Sequence, residues 1–136
     1  MPKIAGVNLL GVVLGALAMW IIGFVWFGLL FSDAWMSASG FTEEMFEGQS
    51  VLWMPAGFVL SLILTFGLGW HMKQKSISKL DTAALFGLWM ALLIGVPLMM
   101  YGYVYSPGHS WELLLINSGH TIATFVAACA VLSLFD

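Results

Sequence analysis

Long apolar runs alternate with short polar gaps along this chain. Four runs stand out, at about residues 8–31, 51–70, 82–104 and 112–135. Each reaches the roughly 20 residues that a helix rising about 1.5 Å per residue needs to cross about 30 Å of hydrocarbon. A bilayer offers the backbone no water to bond with, so runs of this length must be helices. The alternation expected of a barrel strand is missing. The gaps carry the matching punctuation. Ser32, Asp33 and Gly40 lie in the first, and Gly48-Gln49-Ser50 precedes the second run, with Pro55 in its first turn. Lys73, Lys75, Ser76, Ser78 and Lys79 fill the second gap, where Asp81 or Thr82 can cap the next helix. Ser106-Pro107-Gly108 makes the last turn. Thr42-Glu43-Glu44 reads as a helix start, and Phe41, Met45 and Phe46 would lay that helix in the headgroup layer. The pattern predicts an all-α fold: one domain over residues 1–136, an integral membrane four-helix bundle with a short interfacial helix in the first outer loop.

Charge adds orientation. The four basic residues are Lys3, Lys73, Lys75 and Lys79, and there is no arginine. With four spans, the N-terminus and the second gap share one side. The first and third gaps carry Asp33, Glu43, Glu44, Glu47 and Glu112 and no lysine. The positive-inside rule therefore predicts both termini in the cytoplasm, in a multi-pass protein of the cell's inner (plasma) membrane. The first run is longer than the 7–15 apolar residues of a signal peptide, so it is expected to stay as a span.

Composition agrees: 61% of the 136 residues are hydrophobic and 8% charged, against roughly 45–50% and about 25% in soluble domains. The mean hydropathy is +0.99. A water-soluble fold could not cover so much apolar surface. No basic stretch exists to hold nucleic acid. The single cysteine, Cys129, excludes an intrachain disulfide and sits in an apolar run as packing. The nine methionines are scattered, which reads as packing rather than copper ligation.

Two stripes of small residues predict helix contacts. Asn8, Gly11, Gly15 and Ala18 fall within about 80° on the first span, and Gly11–Gly15 is a GxxxG. Ala84, Gly87, Ala91 and Gly95 form a similar stripe on the third. Each stripe can face a neighbour in the same chain or a second protomer. Pro97 cannot donate to the Leu93 carbonyl, so a kink is expected there. Aromatics gather towards the outer side: Trp26, Phe27, Phe31, Trp35, Trp53, Tyr101, Tyr103, Tyr105 and Trp111. Interfacial anchoring and an outward-opening aromatic pocket are both open readings.

The fourth span carries the one polar face. Asn117, His120, Thr121 and Thr124 lie at i, i+3, i+4 and i+7, an arc of about 100° on an otherwise aliphatic helix. Polar groups at such depth cost free energy and turn into the bundle. Ser61 and Thr65 of the second span are candidate partners. Two readings stand. Either these groups bond across helices and fix packing, or they line a cavity for a ligand, proton or ion. No catalytic constellation, metal set or cofactor motif is legible, and an enzyme is the disfavoured class.

Two further stretches carry a resemblance. Trp26-Phe27-Gly28-Leu29-Leu30-Phe31 with Ala34-Trp35-Met36, and Trp111-Glu112 through Ile116-Asn117-Ser118-Gly119-His120, resemble signature segments of the small bacterial membrane proteins catalogued as domain of unknown function 1761. Asn8 matches a polar residue near the start of that family. The resemblance covers essentially the whole chain. It implies four spans and no established activity. Two functions follow as expectations. One is a homo-oligomer that binds or passes a small solute at Asn117, His120, Thr121 and Thr124. The other is a non-catalytic accessory or assembly subunit docking onto other membrane helices. The lipid bilayer is the partner common to both.

Overall fold

The structure, a computed structural model, describes residues 2–39, 44, 53–105 and 110–135. The predicted helix start at Thr42 and the turn Ser106-Pro107-Gly108 lie outside the described residues. Four helices are long and apolar enough to cross a membrane: Leu9–Leu30, Pro55–Gln74, Leu80–Tyr105 and Trp111–Ser133. The second runs past its apolar edge at Trp70, because His71 and Lys73 continue the helical ladder and a lysine stem can extend its head towards water. Large aliphatic side chains stand on the outer faces, with Leu29, Ile63 and Leu93 each about two-thirds exposed (66%, 64% and 67%). In water such a surface would aggregate; in lipid it is solvated. This is a membrane protein.

The chain opens with a hairpin that periodicity did not announce. Strands β1 (Lys3–Ile4) and β2 (Val7–Asn8) pair antiparallel. Ala5 and Gly6 turn between them, both at positive φ (53° and 82°), as a two-residue hairpin turn requires. Asn8 then caps helix α1 (Leu9–Phe24), its side-chain oxygen accepting from the Leu10 and Gly11 amides at 2.9 and 3.4 Å. The first span continues through a π-helical stretch, Val25–Leu30, in which the Phe31 amide donates back to the Trp26 carbonyl at 2.9 Å. Phe31 leaves helical geometry and α2 (Ser32–Ser39) follows. Helix α3 (Trp53–Gln74) is the second span.

The third span is α4 (Leu80–Met90), a second π-helical stretch (Ala91–Gly95) and α5 (Val96–Tyr105). The widened turn is how the span accommodates Pro97. Its ring excludes a normal turn, and the Val96 amide reaches back to the Ala91 carbonyl instead. Helix α6 (Trp111–Ser133) is capped by Ser110, whose hydroxyl accepts from the Leu113 amide at 3.2 Å. The Tyr103 hydroxyl donates to the Ser110 carbonyl across the last connection.

Helix α6 is the centre of the assembly. It packs along both α1 and α4, and α1 also packs along α3. The second and third spans barely touch. Glycines set the close approaches. A Cβ on Gly15 would lie 2.7 Å from Thr65 Cγ2 and 3.5 Å from the Ala128 carbonyl oxygen. On Gly87 it would lie 2.7 Å from the Phe125 carbonyl oxygen. Both small-residue stripes thus face neighbours in the same chain. On the third span Ala83 and Ala91 are fully buried, while Ala84 is half-buried. The core also holds Val12, Met19, Phe86, Phe125, Ala128 and Cys129. At the lysine end, Val7 of the hairpin is buried against Gly69, which Leu132 also approaches.

Candidate functional site

The open packing around α3 leaves a cavity of about 600 Å³ between the first, second and fourth spans. Its volume falls in the range of small-molecule sites, about 300–1,000 Å³. Met19, Trp20, Gly23 and Phe24 line it from the first span; Gly57, Ser61 and Leu64 line it from the second; His120 and Thr124 line it from the fourth. His120 and Thr124 lie near the middle of their span, so the cavity reaches the membrane interior. Ile21, Phe24 and Leu64 stand at its rim, exposed to the bilayer.

The wall is apolar, and most of its polar hydrogens are taken up locally. The Thr124 hydroxyl donates to the backbone of its own helix, 2.8 Å from the His120 carbonyl oxygen and 3.0 Å from that of Thr121. Ser61 Oγ donates to the Gly57 carbonyl at 3.1 Å. Thr65, fully buried behind the wall, points its hydroxyl at Met19 Sδ, 3.5 Å away. Among the described residues the His120 ring nitrogens and the Trp20 indole N–H make no hydrogen bond. They can bond a guest directly, while Ser61 and Thr124 can still accept. The site offers one imidazole, one indole donor, two hydroxyl acceptors and no charge.

The structure splits the predicted polar face. His120 and Thr124 share the cavity with Ser61. Thr121 turns to the other side of α3, and its hydroxyl donates to the Asn117 carbonyl at 3.0 Å. The Asn117 carboxamide is half-buried and makes no hydrogen bond among the described residues. An arc of about 100° is wide enough to face two different neighbours. No bond joins Asn117 or His120 to another helix through its side chain among the described residues.

Above His120 the aromatic segment closes the site. The Trp26 indole N–H donates to the Ile116 carbonyl at 3.0 Å. Its ring lies on Gly119, where a Cβ would come within 2.8 Å of Cζ2. Phe27 lies against the His120 ring, centroids 4.7 Å apart, and against Trp35 at 5.3 Å. Trp26 also meets Phe31 at 5.0 Å. The π-helical turn puts Trp26 and Phe27, adjacent in sequence, on the same partner helix. In a regular helix neighbouring residues diverge by about 100°. These rings are half-buried. Tyr101, Tyr105 and Trp111 are exposed instead (66%, 81% and 79%), as interfacial anchors are.

Sequence reasoning missed Met19, Trp20, Gly23, Phe24, Gly57 and Leu64 as cavity residues. Trp20 carried a signal: it stands deep inside a span, away from the depth that tryptophan favours. Gly23 carried none: that a Cβ there would lie 3.3 Å from His120 Nε2 appears only in the folded chain. No curated protein and no solved structure matches the chain. A family model described as Protein of unknown function (DUF1761) matches residues 10–133, which include every residue of the site.

Proposed function

The chain belongs to that family, Protein of unknown function (DUF1761), and from this premise we propose that it is a membrane-resident binding protein for a small lipophilic molecule. The guest enters from the bilayer between the first and second spans. Its apolar body fills the cavity against Trp20, Phe24 and Leu64, and a single polar head, such as a carbonyl or hydroxyl, bonds His120. The observation that carries this reading is the His120 ring, whose nitrogens make no hydrogen bond among the described residues, on an otherwise apolar wall. A polar group at that depth is costly without a partner, and the guest supplies one. Hydrated ions are poor candidates, because the cavity lacks charge and a surplus of acceptors.

By the positive-inside rule, both termini and the Lys73–Lys79 turn lie in the cytoplasm. The cavity then extends from the middle of the membrane towards the outer side, where the first span ends and the second begins.

The test is extraction of the purified protein with organic solvent, followed by mass spectrometry. A lipophilic compound is expected at about one per chain. Gly57→Leu fills the cavity and should expel it, since the nearest atom to a Cβ there is Trp20 Nε1 at 4.0 Å. His120→Leu should keep the fold and lose most of the guest. A wild-type protein that carries no such compound, and takes up none from a lipid extract, would end this reading. Collapse of the helices in His120→Leu, with no guest ever found, would return His120 to a packing role.

A further inference from the structure

On the other side of α3 lies a second hollow, about 410 Å³, between the second and third spans. Leu68, Ile94 and Leu98 stand on its walls and Phe125 on its floor. Its rim includes Ile63 and Leu98, exposed by 64% and 63%, so it too opens to lipid. At mid-membrane the polar group in its lining is the Thr121 hydroxyl, whose hydrogen is held by its own helix. Gly67 faces it from α3, and a Cβ there would meet nothing within 4 Å. The wall thus has a slot where a side chain would stand.

One end of the hollow is different. His71 lines it there, with Nδ1–H donating to the Gly67 carbonyl at 2.9 Å. The two walls are consecutive spans, so the turn joining them lies beyond that end. The turn carries Lys75 and Lys79, both exposed, with Asp81 as the acid beside them. An apolar slot with exposed ammonium groups on the turn beyond its end suits one bilayer component: an acyl chain with a negative head. Basic clusters at a membrane surface attract anionic lipid in the same way.

We propose that this hollow seats one acyl chain of an anionic phospholipid, whose phosphate lies against Lys75 and Lys79. The site is independent of the cavity at His120 except that Leu64 touches both.

Native mass spectrometry of the full chain, released from micelles doped with phosphatidylglycerol or with phosphatidylcholine of the same chain length, tests it. Wild type should retain one phosphatidylglycerol at least fivefold more often than phosphatidylcholine. Lys75→Gln with Lys79→Gln should bring that ratio below twofold. Gly67→Leu should cut retention of both lipids at least fivefold. Ile94→Trp fills the slot from the opposite wall and serves where the leucine variant does not fold, with helicity checked for each. Gly57→Leu, which blocks only the other cavity, should leave phosphatidylglycerol binding as it is. Equal retention of the two lipids by wild type would overturn the proposal. So would an unchanged ratio in the lysine variant, or unchanged retention in folded slot-filling variants. A wild-type dimer that Gly67→Leu converts to monomer would overturn it too, by placing a second copy in the hollow.

Discussion

At the scale of single residues, the contact of Trp26 with Gly119 and Ile116 is the sharpest feature of the site. A methyl on Gly119 would sit 2.8 Å from the indole, so the ring must move and its bond to the Ile116 carbonyl is lost. Hydrogen bonds between membrane helices are worth roughly 0.6–2 kcal/mol, and overpacking costs about 1–3 kcal/mol. Gly119→Ala is therefore expected to lose about 1–3 kcal/mol and Trp26→Phe about 1 kcal/mol, measured by unfolding in mixed micelles. The double variant should lose clearly less than the sum, because both changes break one contact. Strict additivity would mean that the indole bond contributes nothing. His120 is the complementary case. Among the described residues its ring meets Phe27 and lies close to Gly23, so His120→Leu should shift stability by less than about 1.5 kcal/mol, as a swap of similar volume does.

At the scale of helices, glycines separate close crossings from open slots. Gly87 meets backbone: a Cβ there would lie 2.7 Å from the Phe125 carbonyl oxygen and 2.9 Å from Val126 Cα. Backbone cannot step aside as a side-chain tip can. Gly87→Ala must push the third and fourth spans apart, and a loss of at least about 2 kcal/mol is expected. Gly67 faces the hollow, and alanine there should be neutral or gain up to about 1 kcal/mol from helix propensity. Parallel unfolding curves of the two variants decide the matter, and equal losses would contradict the packing described. The two π-helical stretches act at this scale as well. One absorbs Pro97. The other brings Trp26 and Phe27 together onto α6.

For the whole molecule, the hairpin and the lysine distribution make separate predictions. Val7 is 2% exposed and packed on Gly69, so it ties the start of the first span to the second. Val7→Ala should cost about 1.5 kcal/mol, from two buried carbons at about 0.8 kcal/mol each. An unchanged unfolding midpoint would show that the hairpin rests on the bundle without holding it. Orientation is read by cysteine labelling in intact cells. Cys129 is fully buried, so the native thiol should stay silent. Glu112→Cys is expected to react with an impermeant maleimide, and Lys75→Cys only after the membrane is opened. Labelling of Lys75→Cys from outside would reverse the assigned topology. The packing also bears on oligomers. The glycine stripes are used within one chain, so any self-association has to employ other faces.

Much of this architecture was legible in the amino-acid sequence, because hydrocarbon imposes a simple rule: each crossing is about 20 apolar residues with every backbone group bonded internally. The four spans, their order and the polar face of the fourth follow from that rule alone. The rule is silent about partners. Lipid solvates an apolar helix face as well as another helix does, so apolar pattern does not say which faces meet. Tertiary structure decided that the fourth span sits at the centre, that the second stands off the third, and that both glycine stripes point inward. It also decided that His120 and Thr124 face one cavity while Thr121 faces another. The hairpin and the two π-helical turns escaped a reading based on period, since each is a local departure from periodicity held in place by long-range packing. Sequence determined what dissolves in the membrane; the fit of side chains across helices determined where the molecule is left open.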